Sequence, residues 1–268
     1  MNSIQIAKDT SNVIKGLACL LIVAHHFCAR LMARGVDDVL TNFIGVRGGV
    51  VGVTVFFFLS AWGLSESQIK NRYSFDAFVK RRLSKVYLPL IITNFLYYVF
   101  LLMWGNTFNL RMIDGVLWFC NTILIFYLIF YLSFLPKSNW TKVTLCIGLT
   151  LLYSLLATWI YPDSPFYVYS IIGFPFGMVC SLYKESLSRL TNSGVWIVAG
   201  LLMLIVGGIM LPAYRNLFFM NSFCLILLVV LVTLIQRITL SKKLIILPFI
   251  GVYSYEIYLL HNKVLTPL

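Results

Sequence analysis

The chain has 268 residues, of which 60% are hydrophobic and 11% charged, with a mean hydropathy of +0.90. That composition excludes a soluble domain, which would leave its apolar surface uncovered, and marks a polytopic membrane protein. The net charge of +12 would suit a nucleic-acid partner, but it is spread over short segments between apolar runs, where it is a topology signal.

In chain order, nine apolar runs predict an all-α transmembrane bundle: about 13–33, 44–64, 86–104, 116–135, 141–161, 166–183, 195–211, 216–236 and 244–262. With a cytoplasmic N-terminus, fifteen Lys and Arg residues fall on the cytoplasmic side. Six (Arg30, Arg34, Arg47, Arg111, Arg215 and Lys263) fall on the other, the asymmetry expected of inward-facing loops. The first run reads VIKGLACLLIVAHHFCARLMA. It lacks a small-residue cleavage site and is read as a retained helix. Lys15 and His26 are eleven residues apart, about 16 Å of rise and close to three whole turns, so they share a face; His25 points about 100° away. Histidine is the natural general base near neutral pH. The competing reading is that both histidines bond to neighbouring helices and only fix packing.

The second run contains GGVVGVTVFFFLSAWGL, in which Gly48, Gly49, Gly52 and Gly63 permit close helix approach and Ser60 can bond across helices. The longest polar stretch, 65–85, is read as a cytoplasmic loop. Within it, Phe75, Phe78, Val79, Leu83 and Val86 are spaced for an amphipathic helix at the interface that enters the third span. The cluster Lys80, Arg81, Arg82 and Lys85, followed by Pro89, suits either phosphate binding or an anchor on anionic membrane lipids. The cysteines lie singly and predict small core residues, not disulfides or metal ligands. In the last run, GVYSYEIYLLHNK, Glu256 is an intramembrane acid. Tyr255 and Tyr258 fit a polar cavity or an aromatic belt, and His261 lies near the far interface.

These pieces, in this order, resemble the membrane-bound acyltransferase type 3 family, whose members acylate surface glycans among other substrates. The family's first helix reads arginine, ten residues, histidine; here Lys15 stands for the arginine and His26, not His25, for the histidine. GVTVFFFLSAWGL at 52–64 resembles GVxxFFxLSG, with Ala61 for the glycine. Arg81, Arg82, Lys85 and Pro89 resemble RRxxRxxP, with lysine for the last arginine and the proline one residue late. Ser254, Tyr255, Tyr258, Leu259 and His261 match SYxxYLxH intact. The segment from Trp118 is also similar, although many members carry a glutamate where this chain has Ile123.

The resemblance implies one membrane-embedded domain over 1–268, of a family that usually has ten helices. The chain ends shortly after its last motif, and the expectation is that it lacks the final helix. The resemblance further implies transfer of an acyl group, commonly acetyl, from a cytoplasmic acyl-CoA to a hydroxyl of a glycan or lipid-linked saccharide. His26 is the expected catalytic residue, as general base or covalent relay. Lys15, Arg81, Arg82 and Lys85 are expected to hold the donor, and Tyr255, Glu256 and His261 to line the acceptor side. No metal and no permanently bound cofactor is expected: acetyl-CoA or another acyl-CoA serves as co-substrate. The other expected partners are the saccharide acceptor and membrane lipids, with no nucleic acid. The implied location is a bacterial plasma membrane with the N-terminus cytoplasmic. The alternative function is a non-enzymatic component of polysaccharide export or synthesis, and a weaker third reading is an ion or proton transporter.

Overall fold

The computed structural model describes residues 4–103, 111–190, 195–210, 217–235, 237 and 246–265. Among these the regular structure is helical, with no strand. Helices satisfy their own backbone hydrogen bonds, which a bilayer interior demands. The order is α1 (Lys8–Ala33), α2 (Val39–Asn71), α3 (Phe75–Met103), α4 (Arg111–Phe134), α5 (Asn139–Ile160), α6 (Gly173–Leu182), α7 (Lys184–Leu190), α8 (Val195–Met210), α9 (Leu217–Ile235), α10 (Ile246–Val252) and α11 (Ser254–Leu265).

Six helices among the described residues are long and apolar enough to cross a membrane: α1, α2, α3, the Leu117–Phe134 part of α4, α5 and α9. The sixth, seventh and ninth apolar runs form shorter pieces. The run 166–183 is helical only from Gly173, after a 3-10 turn at Pro165–Tyr167, and α6 has 10 residues. α8 has 16 residues. The last run is broken at Tyr253 into helices of 7 and 12 residues. That break is held by hydrogen bonds: Ser254 Oγ donates to the Gly251 carbonyl (2.9 Å), and the Cys19 thiol reaches the Ser254 carbonyl (3.5 Å).

The stretch 65–85 is not a loop. α2 runs on to Asn71 and α3 begins at Phe75, so three residues turn the chain. Arg72 takes a left-handed conformation (φ 48°) that ends α2, its N–H bonded to the Gln68 carbonyl. The amphipathic segment is the first part of α3, continuous with its apolar part through Pro89. At the other end of α2, Asp38 accepts from the Thr41 N–H (2.9 Å) and hydroxyl (2.6 Å), which cap the helix and hold the carboxyl below its usual range.

Between apolar helices in lipid, close packing must supply the association that the hydrophobic effect supplies in water. α1 and α2 run antiparallel along a glycine seam. Gly45 faces the Cys28–Ala29 backbone, Gly48 faces Leu21 and His25, and Gly52 faces the Ala18 carbonyl and Ile22. On another side of α1, Gly16 lies against the Leu247 carbonyl and Gly251 against the Asn12 carbonyl, where a methyl on either would overlap backbone. Gly63, expected to share this role, faces open space. The centre is aromatic: Phe57 stacks on Phe119 (5.6 Å between centroids), Phe126 meets Phe57 (4.9 Å), and Phe174 meets Phe126 (4.8 Å). These join α2, α4 and α6, each pair adding about 0.5–1.5 kcal/mol beyond area burial. All six cysteines are free. At one end, Glu66 of α2 pairs with Lys184 (3.2 Å) and accepts from Ser181 (2.8 Å), tying α2 to α6 and α7.

Candidate functional site

A cavity of about 450 Å³ opens where α1, α2, α3, α4, α10 and α11 converge. α1 contributes Lys15 and Ile22, seven residues apart on one face, and α3 contributes Lys85 and Val86. α2 adds Phe56 and Ser60, and α4 adds Phe119, Ile123 and Tyr127. The broken last segment adds Gly251, Val252, Ser254, Tyr255, Glu256 and Tyr258. Lys15 and Lys85, seventy residues apart in sequence, are close enough for their charges to interact. Glu256 shares the cavity with both lysines without a direct ion pair to either, and its Oε2 is buried with no hydrogen-bond partner among the described residues.

The four-cation cluster on α3 divides. Arg82 turns inward, with its guanidinium over the Phe78 ring (5.5 Å) and the Tyr127 ring (5.8 Å), and Tyr127 lines the cavity. Lys85 lines the cavity directly. Arg81 is exposed and bonds to the Tyr73 hydroxyl (2.8 Å), and Lys80 is exposed. Pro89 has no N–H, so the Lys85 carbonyl lacks its usual helical donor at the cavity wall. The next carbonyl, that of Val86, accepts from the Tyr255 hydroxyl (2.8 Å), which also meets the Cys120 thiol (3.3 Å). Tyr255 therefore fastens α11 to α3 and α4 beside the lysines.

The histidines lie beyond the cavity. Tyr258, on its wall, is 5.4 Å from the His261 ring, and His261 is 4.8 Å from the His26 ring. A carbonyl only accepts, so the 2.5 Å contact of His261 Nδ1 with the Tyr258 carbonyl puts a proton on Nδ1. That leaves His261 Nε2 with a free lone pair, buried and without a partner among the described residues. His25 is seated differently. Its Nδ1 donates to the Ile44 carbonyl (3.2 Å), and its ring fills the notch at Gly48 and Gly49. A methyl on Gly49 would lie 2.6 Å from His25 Cδ2.

The structure thus brings Lys15, Lys85, Tyr255 and Glu256 to one cavity, places Arg82 behind its Tyr127 wall, and sets His26 against His261 further along. It leaves Arg81 outside. Tyr255 and Glu256, expected with His261, stand with the lysines instead. Sequence reading missed Ile22, Phe56, Phe119 and Tyr127. Ser60 was noted only for cross-helix bonding. Ile123, where the resemblance leads to the expectation of a glutamate, lies in the cavity wall and presents an apolar side chain there. Arg30 was also missed as a site residue. It stands one turn beyond His26 and bonds through Nη2 to the Asn262 carbonyl (3.4 Å).

No curated protein and no solved structure matches this chain. The family model described as an acyltransferase domain matches residues 9–268, essentially the whole chain. The chain belongs to that family, and its apolar helices make it an integral membrane member.

Proposed function

We propose that the protein transfers an acetyl or other acyl group from a cytoplasmic acyl-CoA to a hydroxyl of a saccharide, an O-acylation of a glycan or its lipid-linked precursor in the cell envelope. The observation that carries this reading is the cavity with two lysines and Glu256 in its wall and a histidine pair beyond Tyr258. Lys15 and Lys85, with Arg82 behind Tyr127, supply the cations that the donor's phosphates require. About 16 Å along α1 stands His26, a span an extended pantetheine arm covers, so the thioester reaches the histidine while the phosphates stay with the lysines.

In the reaction, the acceptor hydroxyl oxygen attacks the thioester carbonyl carbon while His26 takes the hydroxyl proton. Collapse of the tetrahedral intermediate breaks the carbon–sulfur bond, and the leaving thiolate takes that proton back from His26. His261 faces His26, ring against ring at 4.8 Å, with its Nδ1 proton already committed to the Tyr258 carbonyl. A covalent relay through His26 fits the same geometry.

The orientation that matches this chemistry has nine passes with the N-terminus inside, in a bacterial plasma membrane, so that Lys15 and Lys85 meet cytoplasmic CoA. Ser67→Cys should label from the cytoplasm and Asp163→Cys from outside. The functional test is mass spectrometry of surface glycans from cells fed isotopically labelled acetate, with and without the protein. Loss of labelled ester groups with glycan export intact is the expected result. Unchanged esters with failed export would favour the non-enzymatic component instead.

A further inference from the structure

We propose that the acceptor carries an oxyanion, a carboxylate or phosphate beside a hydroxyl, and that Arg30 binds it next to His26 and His261. The inference rests on the transfer reading above only for its use of the word acceptor; the site itself stands on geometry. Three cations lie at this level of the bundle, away from Lys15. Arg30 is one turn beyond His26 on α1. Arg47 of α2 lies between Gly45 and Gly48, which face Cys28–Ala29 and His25. Lys263 follows His261 by two residues on α11. A charge-count reading assigns all three to outside segments, but Arg47 and Lys263 are only 4% exposed, and Arg30 is partly buried.

None of the three forms an ion pair among the described residues, where the pair recorded is Lys184 with Glu66. Lys263 is used otherwise: it bonds to Asn94 Oδ1 and lies over the Tyr97 ring (5.1 Å). Arg47 sits over Phe43 (5.1 Å), with Nε and Nη2 unpartnered. Arg30, one turn beyond His26, donates through Nη2 to the carbonyl of Asn262, the residue after His261 (3.4 Å), and keeps a buried, unpartnered Nη1. A buried cation without a counter-charge is costly to hold, and intramembrane cations normally serve a pathway or a ligand. Beside Arg30 lies His261, 5% exposed, with its Nε2 lone pair unspent. One free cationic donor next to one free acceptor matches a ligand that has an oxyanion and a hydroxyl side by side. Sugar acids and phosphorylated sugars share that chemistry.

The test uses the full-length protein in nanodiscs of zwitterionic lipid and measures equilibrium binding of methyl glucuronide, its uncharged methyl ester, and methyl glucoside 6-phosphate. The expected result is at least a tenfold preference for one or both anions over the ester, and which anion wins separates a sugar acid from a phosphosugar. Arg30→Met should fold, since it removes a cation that has no counter-charge and gives up one long hydrogen bond, that of Nη2 to the Asn262 carbonyl (3.4 Å), and should reduce the preference below threefold. Arg34→Gln, at the exposed end of α1, should leave it unchanged. If Arg30→Met fails to insert, Arg30→Gln takes its place with the same expectation. No anion preference in the natural protein, or a preference that survives in the folded Arg30 variant, overturns the inference. Acyl-CoA turnover is followed in the same samples. Turnover without anion preference removes this inference alone, and anion preference without turnover removes the transfer reading alone.

Discussion

One side of α1 is closed to backbone distance and another is held open, and the two adjacent histidines fall on different sides. On the closed side the glycine seam admits α2, and His25 plugs a notch in it with its Nδ1 proton spent on Ile44; α10 reaches backbone distance on a further face, at Gly16 and Gly251. On the open side Lys15 and Ile22 face a cavity, and His26 meets a second histidine with no hydrogen bond of its own among the described residues. Packing uses up hydrogen-bonding capacity, whereas a site keeps it unspent. The contrast separates two neighbours that composition treats as one motif.

The largest effect should come from forcing a backbone-distance contact of α1 open. A Gly251→Val side chain would overlap the Asn12 backbone, which no rotamer relieves, and overpacking of this kind costs about 3 kcal/mol or more. The expected outcome is loss of monodisperse protein on size exclusion. Well-behaved Gly251→Val with unchanged melting would mean that the α1–α10 contact is not tight. On the open side, Lys85→Gln and Lys15→Gln should leave melting nearly unchanged and each raise the donor KM about tenfold, the worth of one charge-assisted hydrogen bond. The acceptor KM should hold. Smallest is Arg81→Gln: its exposed guanidinium engages Tyr73, and exposed pairs contribute little, so donor KM should move less than about twofold. Arg82→Gln should exceed it clearly, because Arg82 alone of the pair turns toward Tyr127. Equal effects at 81 and 82 would return the whole cluster to lipid anchoring.

The sequence carried the open side of α1 well, because helical periodicity fixes which residues share a face: eleven residues put Lys15 and His26 in line. It carried His261 through its motif, but not its partner, since which helix α11 meets is a tertiary fact. Two kinds of feature stayed hidden. The first is where helices break. Tyr253 sits inside an unbroken apolar run, and its break is held by the neighbouring Ser254, bonded to Gly251, and by Cys19 from the far end of the chain. Conversely, 65–85 is polar yet helical on both sides of the turn at 72–74, because hydrophobicity reports solvent and not backbone conformation. The second is which cations turn inward. Arg82 and Arg81 are adjacent and identical in type, and Arg47 and Lys263 read as loop charges, yet burial sorts them differently.

The central claim is that His26 does the chemistry and His25 holds the helices. It is tested most directly by following label from acetyl-CoA into surface glycan with His26→Ala and His25→Ala at matched membrane levels. His26→Ala should lose about 10² to 10⁴ in rate, the usual cost of a missing general base, with unchanged melting. His25→Ala should retain transfer within about tenfold and lose about 1–3 kcal/mol of stability, the cost of an emptied buried position. Transfer that survives in His26→Ala and vanishes in a stably inserted His25→Ala would contradict the account.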